Sequence, residues 1–132
     1  MAATAQFLDR LTVTPIPGGW KIGGEVDAST APTLTEALAT QRPDIAGKHL
    51  VVDLSEIGFM DSSGLVALLD ARSRLAAVGG VLILRRPSRC VVRLLDITHL
   101  RRTFRIEHEQ IFLRHHQHRR RTSTRSQRPA PR

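Results

Sequence analysis

Two apolar runs, "HLVVDLSEI" at 49–57 and "VLIL" at 81–84, bracket one long amphipathic segment. Leu50, Val51 and Val52 break the usual polar alternation, as do Val81 to Leu84, which suits strands covered on both faces. Between them Leu65, Val66, Leu68, Leu69, Ala71, Leu75, Ala76 and Val78 form a broad helical stripe from Ser63 to Val78, which Gly79-Gly80 stops. Strands alternating with a helix imply a sheet that is at least partly parallel and covered by helices. The class is α/β.

The flanking sequence extends the same scheme. "QFLDRLTVTPI" alternates like a strand, Pro17-Gly18-Gly19 reads as a turn, and "WKIGGEV" as a second strand, so the chain opens with a hairpin. Residues 32–42 follow as a helix, with Pro32 placed to open it and Leu34, Ala37 and Leu38 on one face. After "VLIL", Arg85-Arg86-Pro87 ends the strand. Ser88 is placed to cap a helix carrying Val91, Val92, Leu94, Leu95 and Ile97, and "TFRIEHE" supplies a fifth strand. The order is ββαβαβαβ: a mixed central sheet of about five strands covered by helices.

Charge divides the chain in two. Of its 132 residues, 1–113 hold 13 Lys and Arg against all 12 acidic residues, whereas 114–132 hold seven Arg and no acid. A segment with so little apolar surface cannot fold alone, so 1–113 is expected to be one domain and 114–132 a disordered arginine-rich tail. Its Arg119-Arg120-Arg121 run lacks interleaved aromatics, and no specific nucleic-acid binding is expected of it. His115, His116 and His118 stand without a neighbouring carboxylate or thiol, which points to adventitious metal binding only. The single cysteine, Cys90, excludes an internal disulfide and reads as a packing residue. No apolar run approaches the roughly 20 residues a bilayer requires, and the N-terminus lacks the pattern of a secretion signal, so a cytoplasmic protein is expected.

The handover from the third strand to the following helix carries Asp61-Ser62-Ser63-Gly64. A helix cap accounts for one of these polar residues, Asp61 or Ser62, and leaves the others over-provided. A nucleophilic serine needs a base within reach, and only His49, His99 and His108 lie in the structured part, with no G-x-S-x-G elbow. No phosphate-cradling P-loop is present either. The third reading is a switch: phosphorylation beside Asp61 adds a charge of roughly −1.5 to −2, which repels an acidic partner surface while the helix N-terminus tolerates it.

Three blocks, "GGEVDASTAPTL" at 23–34, "VVDLSEIGFMDSSGLVALL" at 51–69 and "SRCVVRLLDITHL" at 88–100, resemble in order the STAS domain of bacterial anti-sigma factor antagonists. The resemblance covers about residues 7–112. It implies a STAS-like fold and an antagonist that binds and sequesters a cognate anti-sigma factor, itself a serine kinase, so freeing a sigma factor. It implies Ser62 as the phosphorylated residue, with Ser63 as the unmodified neighbour. The partner-binding set it implies is Glu25, Asp27, Ser29, Asp61, Ser62, Ser63 and Gly64. A serine phosphatase is the further partner. The chain would be substrate and not enzyme, with no cofactor of its own, since ATP and magnesium belong to the kinase. The alternative is a STAS scaffold or binding module of a larger stress-signalling complex. Two departures stand out: His99 occupies the place of a glycine at the end of the third helix, so that end is expected to differ, and the arginine-rich tail lies outside the resemblance.

Overall fold

The computed structural model describes residues 10–40 and 49–108. Two strands, β1 (Leu11–Ile16) and β2 (Gly19–Val26), form the opening hairpin and are followed by α1 (Ala31–Ala39), β3 (His49–Met60), α2 (Ser62–Ala76), β4 (Val81–Arg85), α3 (Arg89–Ile97) and β5 (Arg105–Glu107). The sheet order is β1-β2-β3-β4-β5; the first pair is antiparallel and the rest are parallel. This is the mixed five-stranded α/β arrangement expected from the alternation of periods. The expected tail and the domain end at 113 lie outside the described residues.

The core is built from alternate strand residues and the inner helix faces. Ile22, Val26, Val52, Leu54, Leu84, Leu34, Leu68, Val91 and Leu95 are fully buried in one cluster. Val51 and Ile83, adjacent across β3 and β4, are also buried but lie outside that cluster, as strand alternation requires of residues pointing to the other face. The helical stripes are narrower than their apolar residues suggest. Val66 and Ile97 fall on outer faces and are exposed, because 3.6 residues per turn cannot bring every apolar position inward; Val78, also exposed, lies past Ala76, where α2 ends short of the expected Val78.

Several boundaries differ from the expectation. β3 runs three residues further than "HLVVDLSEI", to Met60, because its upper half pairs with β2 through two register shifts. β5 is only three residues long. Ser88 occupies the N-cap position of α3 without donating or accepting a cap bond; its Oγ lies 3.3 Å from the Sγ of Cys90, which packs against the core. Gly24, at φ +100°, lets the backbone pass so close to Arg10 that an added Cβ would stand 1.9 Å from the Arg10 carbonyl oxygen.

The end of α3 does not depart from the pattern. His99 adopts the left-handed conformation (φ 62°); its N–H donates to the Asp96 carbonyl at 3.2 Å and Leu100 N–H donates to Leu95 at 2.9 Å. Those two bonds are a Schellman cap. α2 ends in the same way, with Gly79 at φ 78° and Gly80 N–H on the Leu75 carbonyl at 2.7 Å. The two cap bonds thus form around an exposed histidine where glycine is preferred.

Candidate functional site

The carboxyl ends of β2 and β3 lie side by side, with Glu25 opposite Phe59 and Val26 opposite Met60. Asp61 N–H continues the ladder by donating to the Val26 carbonyl at 3.1 Å. This pairing sets the loop leaving β2 against the turn leaving β3, at the strand ends where open α/β sheets place their sites.

In the turn, Asp61 has an extended backbone (φ −111°, ψ −168°) and its carboxylate accepts the Ser63 N–H at 2.8 Å. The cap is therefore Asp61, which the sequence had left open between Asp61 and Ser62. Ser62 is the first residue of α2, exposed, and its hydroxyl makes no hydrogen bond among the described residues. Ser63 is half-buried. Gly64 is buried: a Cβ there would stand 2.6 Å from Met60 Cγ and 2.9 Å from Val26 Cγ1, so glycine alone lets the first turn of α2 settle on both strand ends. Two exposed apolar side chains border the turn: Phe59 just before it, which sequence reading did not single out, and Val66 one helical turn after Ser62, which it placed on the apolar stripe.

The β2–α1 loop is held by its own side chains. Asp27 Oδ1 accepts from Ser29 N–H at 2.9 Å, from Ser29 Oγ at 2.8 Å and from Thr30 N–H at 3.2 Å. Thr30, fully buried, donates its hydroxyl to the Glu25 carbonyl at 2.8 Å and accepts from Asp27 N–H at 2.9 Å. The other carboxylate oxygen, Oδ2, takes Arg10 Nη2 at 2.5 Å, while Arg10 Nη1 reaches Glu25 Oε1 at 2.5 Å. The Ser29 hydroxyl and then the Arg10 guanidinium hold the Asp27 carboxyl far below the usual carboxylate range. Arg10 is raised in turn, mainly by its bond to Asp27. Glu25, Asp27, Ser29, Asp61, Ser62, Ser63 and Gly64 thus meet at one end of the sheet, and Arg10 joins them from β1's entry.

A second charged pair lies on β3. Burial pushes the Asp53 carboxyl up, but Arg86 and the Ser55 hydroxyl and N–H outweigh this and hold it below its ordinary value. Arg86 reaches it from a left-handed backbone (φ 48°) just past β4. The three histidines considered as bases stand away from Ser62. His49 begins β3 whereas Ser62 follows its end, a span of more than about 30 Å at the strand rise. His99 closes α3, and His108 follows Glu107, level through Arg85 with Asp53 and so about 20 Å short of Met60. Among the described residues no cluster of three His, Cys, Asp or Glu side chains is able to hold a metal ion, and no helix is long and apolar enough to cross a membrane.

The STAS domain family matches residues 14–118. The chain belongs to that family. The STAS match spans all the described elements from within β1 onward. The anti-sigma-B factor antagonist of Bacillus subtilis (strain 168) is 35% identical to the chain over 80 residues, covering 61% of this chain and 72% of that protein. The crystal structure of an anti-sigma factor antagonist from Mycobacterium paratuberculosis is 29% identical, with a TM-score of 0.55 over 74% of this chain and 83% of that one. The Bacillus cell fate determinant SpoIIAA in its phosphorylated form has the same fold, at 20% identity and a TM-score of 0.55, over 79% of this chain and 95% of that one.

Proposed function

We propose that this STAS domain is an anti-sigma factor antagonist that binds and sequesters a cognate anti-sigma factor serine kinase and is switched off by phosphorylation of Ser62, so that sequestration frees a sigma factor for transcription. The observation that carries the reading is the division of labour in the turn. Asp61 performs the capping, so the exposed Ser62 hydroxyl is spared for chemistry, on a family scaffold whose relatives are anti-sigma factor antagonists. SpoIIAA, which shares the fold, occurs in a phosphorylated form.

In the transfer, Ser62 Oγ attacks the γ-phosphorus of ATP held by the kinase, the bond to the ADP oxygen breaks, and the hydroxyl proton passes to a base on the kinase. ATP and magnesium belong to the partner, and the chain itself is not an enzyme. The product adds about −1.5 to −2 charges next to Asp61, at a helix N-terminus whose N–H groups stabilise the phosphate locally. Modification therefore changes binding more than folding. Glu25, Asp27, Ser29, Asp61 and Ser63 complete the partner-facing surface, with Gly64 acting beneath it by setting the position of the helix. A serine phosphatase restores the free hydroxyl, and the cycle runs in the cytoplasm.

The test is recovery of the native partner with the wild-type chain, its identification by mass, then phosphopeptide mapping and titration. Phosphate is expected on Ser62. Ser62→Ala should keep its affinity and take no phosphate, while Ser62→Asp should bind at least about tenfold more weakly, or roughly 1.4 kcal/mol. Phosphate on Ser63, or equal affinity of the two variants, would overturn the assignment.

A further inference from the structure

The Arg10 contacts separate two tasks at the partner-facing end of the sheet. The shape of the 27–30 loop depends on Asp27 Oδ1 and on the buried Thr30, all bonded within the loop and its strand. Arg10 touches neither of these. Its Nη2 takes the opposite oxygen, Asp27 Oδ2, with a longer contact of 3.4 Å to Ser29 Oγ, and its Nη1 takes Glu25 Oε1. Asp61 stands alongside through its bond to Val26, so three carboxylates gather at these two strand ends. Arg10, half-exposed, pairs with two of them.

We infer that Arg10 is a specificity-determining residue whose task is electrostatic: it offsets the carboxylates around Ser62 so that the unmodified surface tolerates an anionic partner face, the nucleotide phosphates of a kinase included. The inference rests on the function proposed above. In that reading phosphorylation weakens binding by adding negative charge, and the same logic applies before any phosphate arrives. With Arg10 in place the surface is poised on the binding side. Without it, the unmodified protein carries part of the charge excess that phosphorylation would create. Rim charges act mainly on association rate and on its salt dependence, so the effect is expected there.

The experiment measures association of the purified kinase recovered with the wild-type chain, at low and high salt, for wild type, Arg10→Ala, Arg10→Glu and Ser62→Asp. Amide spectra of each variant report the loop. Arg10→Ala is expected to slow association on the order of threefold or more at low salt, and Arg10→Glu more than that. The difference should shrink toward nothing near 1 M salt, where the screening length is about 3 Å. A loss that persists at high salt would mean that Arg10 is a structural clamp and overturns the inference. Unchanged association of both Arg10 variants while Ser62→Asp remains weakened overturns it too and leaves the Ser62 switch standing. If Ser62→Asp binds as wild type does at every salt concentration, the switch itself fails, and the charge argument built on it fails with it.

Discussion

Asp61 and Ser63 are joined by one bond, carboxylate to backbone N–H at 2.8 Å, and it passes over Ser62 without using it. The turn therefore holds its shape through residues on either side of the exposed hydroxyl. Stability and modification are separable here, residue by residue.

Asp61→Ala should remove the cap and cost about 1 kcal/mol, whereas Ser62→Ala should stay within about 0.5 kcal/mol of wild type. Urea unfolding of the two variants decides this. A larger loss at Ser62 than at Asp61 would show that the cap has been assigned to the wrong residue.

Gly64→Ala should destabilise by about 1–3 kcal/mol, because the new methyl meets Met60 Cγ at 2.6 Å and Val26 Cγ1 at 2.9 Å, neither of which is the far end of a flexible chain. The helix start would have to lift from both strands. A thermal melt equal to that of wild type would mean that the first turn of α2 moves freely, and the argument for a positioned Ser62 would lose its footing.

His99→Gly should raise stability by about 0.5–1 kcal/mol, since glycine enters the left-handed region without the penalty that histidine bears there. Gly79→Ala, at the matching position of α2, should change stability in the opposite direction. Calorimetry on the pair provides an internal control: both effects with the same sign would contradict the two caps.

Acid should unfold the domain through Asp27 and Asp53, whose folded carboxyls are held below their ordinary values. In the unfolded chain both titrate near about 3.9. Their contribution is thus complete above that value and is lost as pH falls through the lower folded values. Melting temperature should respond little to these two groups between about pH 7 and 5 and decline below about pH 4. Asp53→Asn should cost about 1–3 kcal/mol at neutral pH and flatten the acid decline. An equally steep acid decline in that variant would place the responsible group elsewhere.

Much of this architecture was legible because hydrophobic period is local. The apolar runs at 50–52 and 81–84, the stripe on α2 and the Gly79 stop each report their own element. The clustering of Glu25 and Asp27 with Asp61 came from the family resemblance and needed the β2–β3 register to be seen in space. Arg10 was invisible at that level: its partners lie 15 and 17 residues away, and no periodicity links an arginine before β1 to a loop after β2. The reach of β3 to Met60 was also hidden, because the bulges against β2 that carry the strand past Ile57 through Gly58 and Phe59 leave no local signal. Ile97 misled for the opposite reason. An apolar residue carries no mark of which side of its helix it will face.

The identity of spatial and sequence order in the sheet has a consequence for how it is made. Every strand from β2 onward pairs with the strand completed just before it. Among the described strands none has to be threaded between two already joined, and after β1 none must wait for a later segment before it finds a neighbour. A chain leaving the ribosome can therefore lay down this sheet by successive addition at one growing edge, each crossover helix closing over the strands already in place.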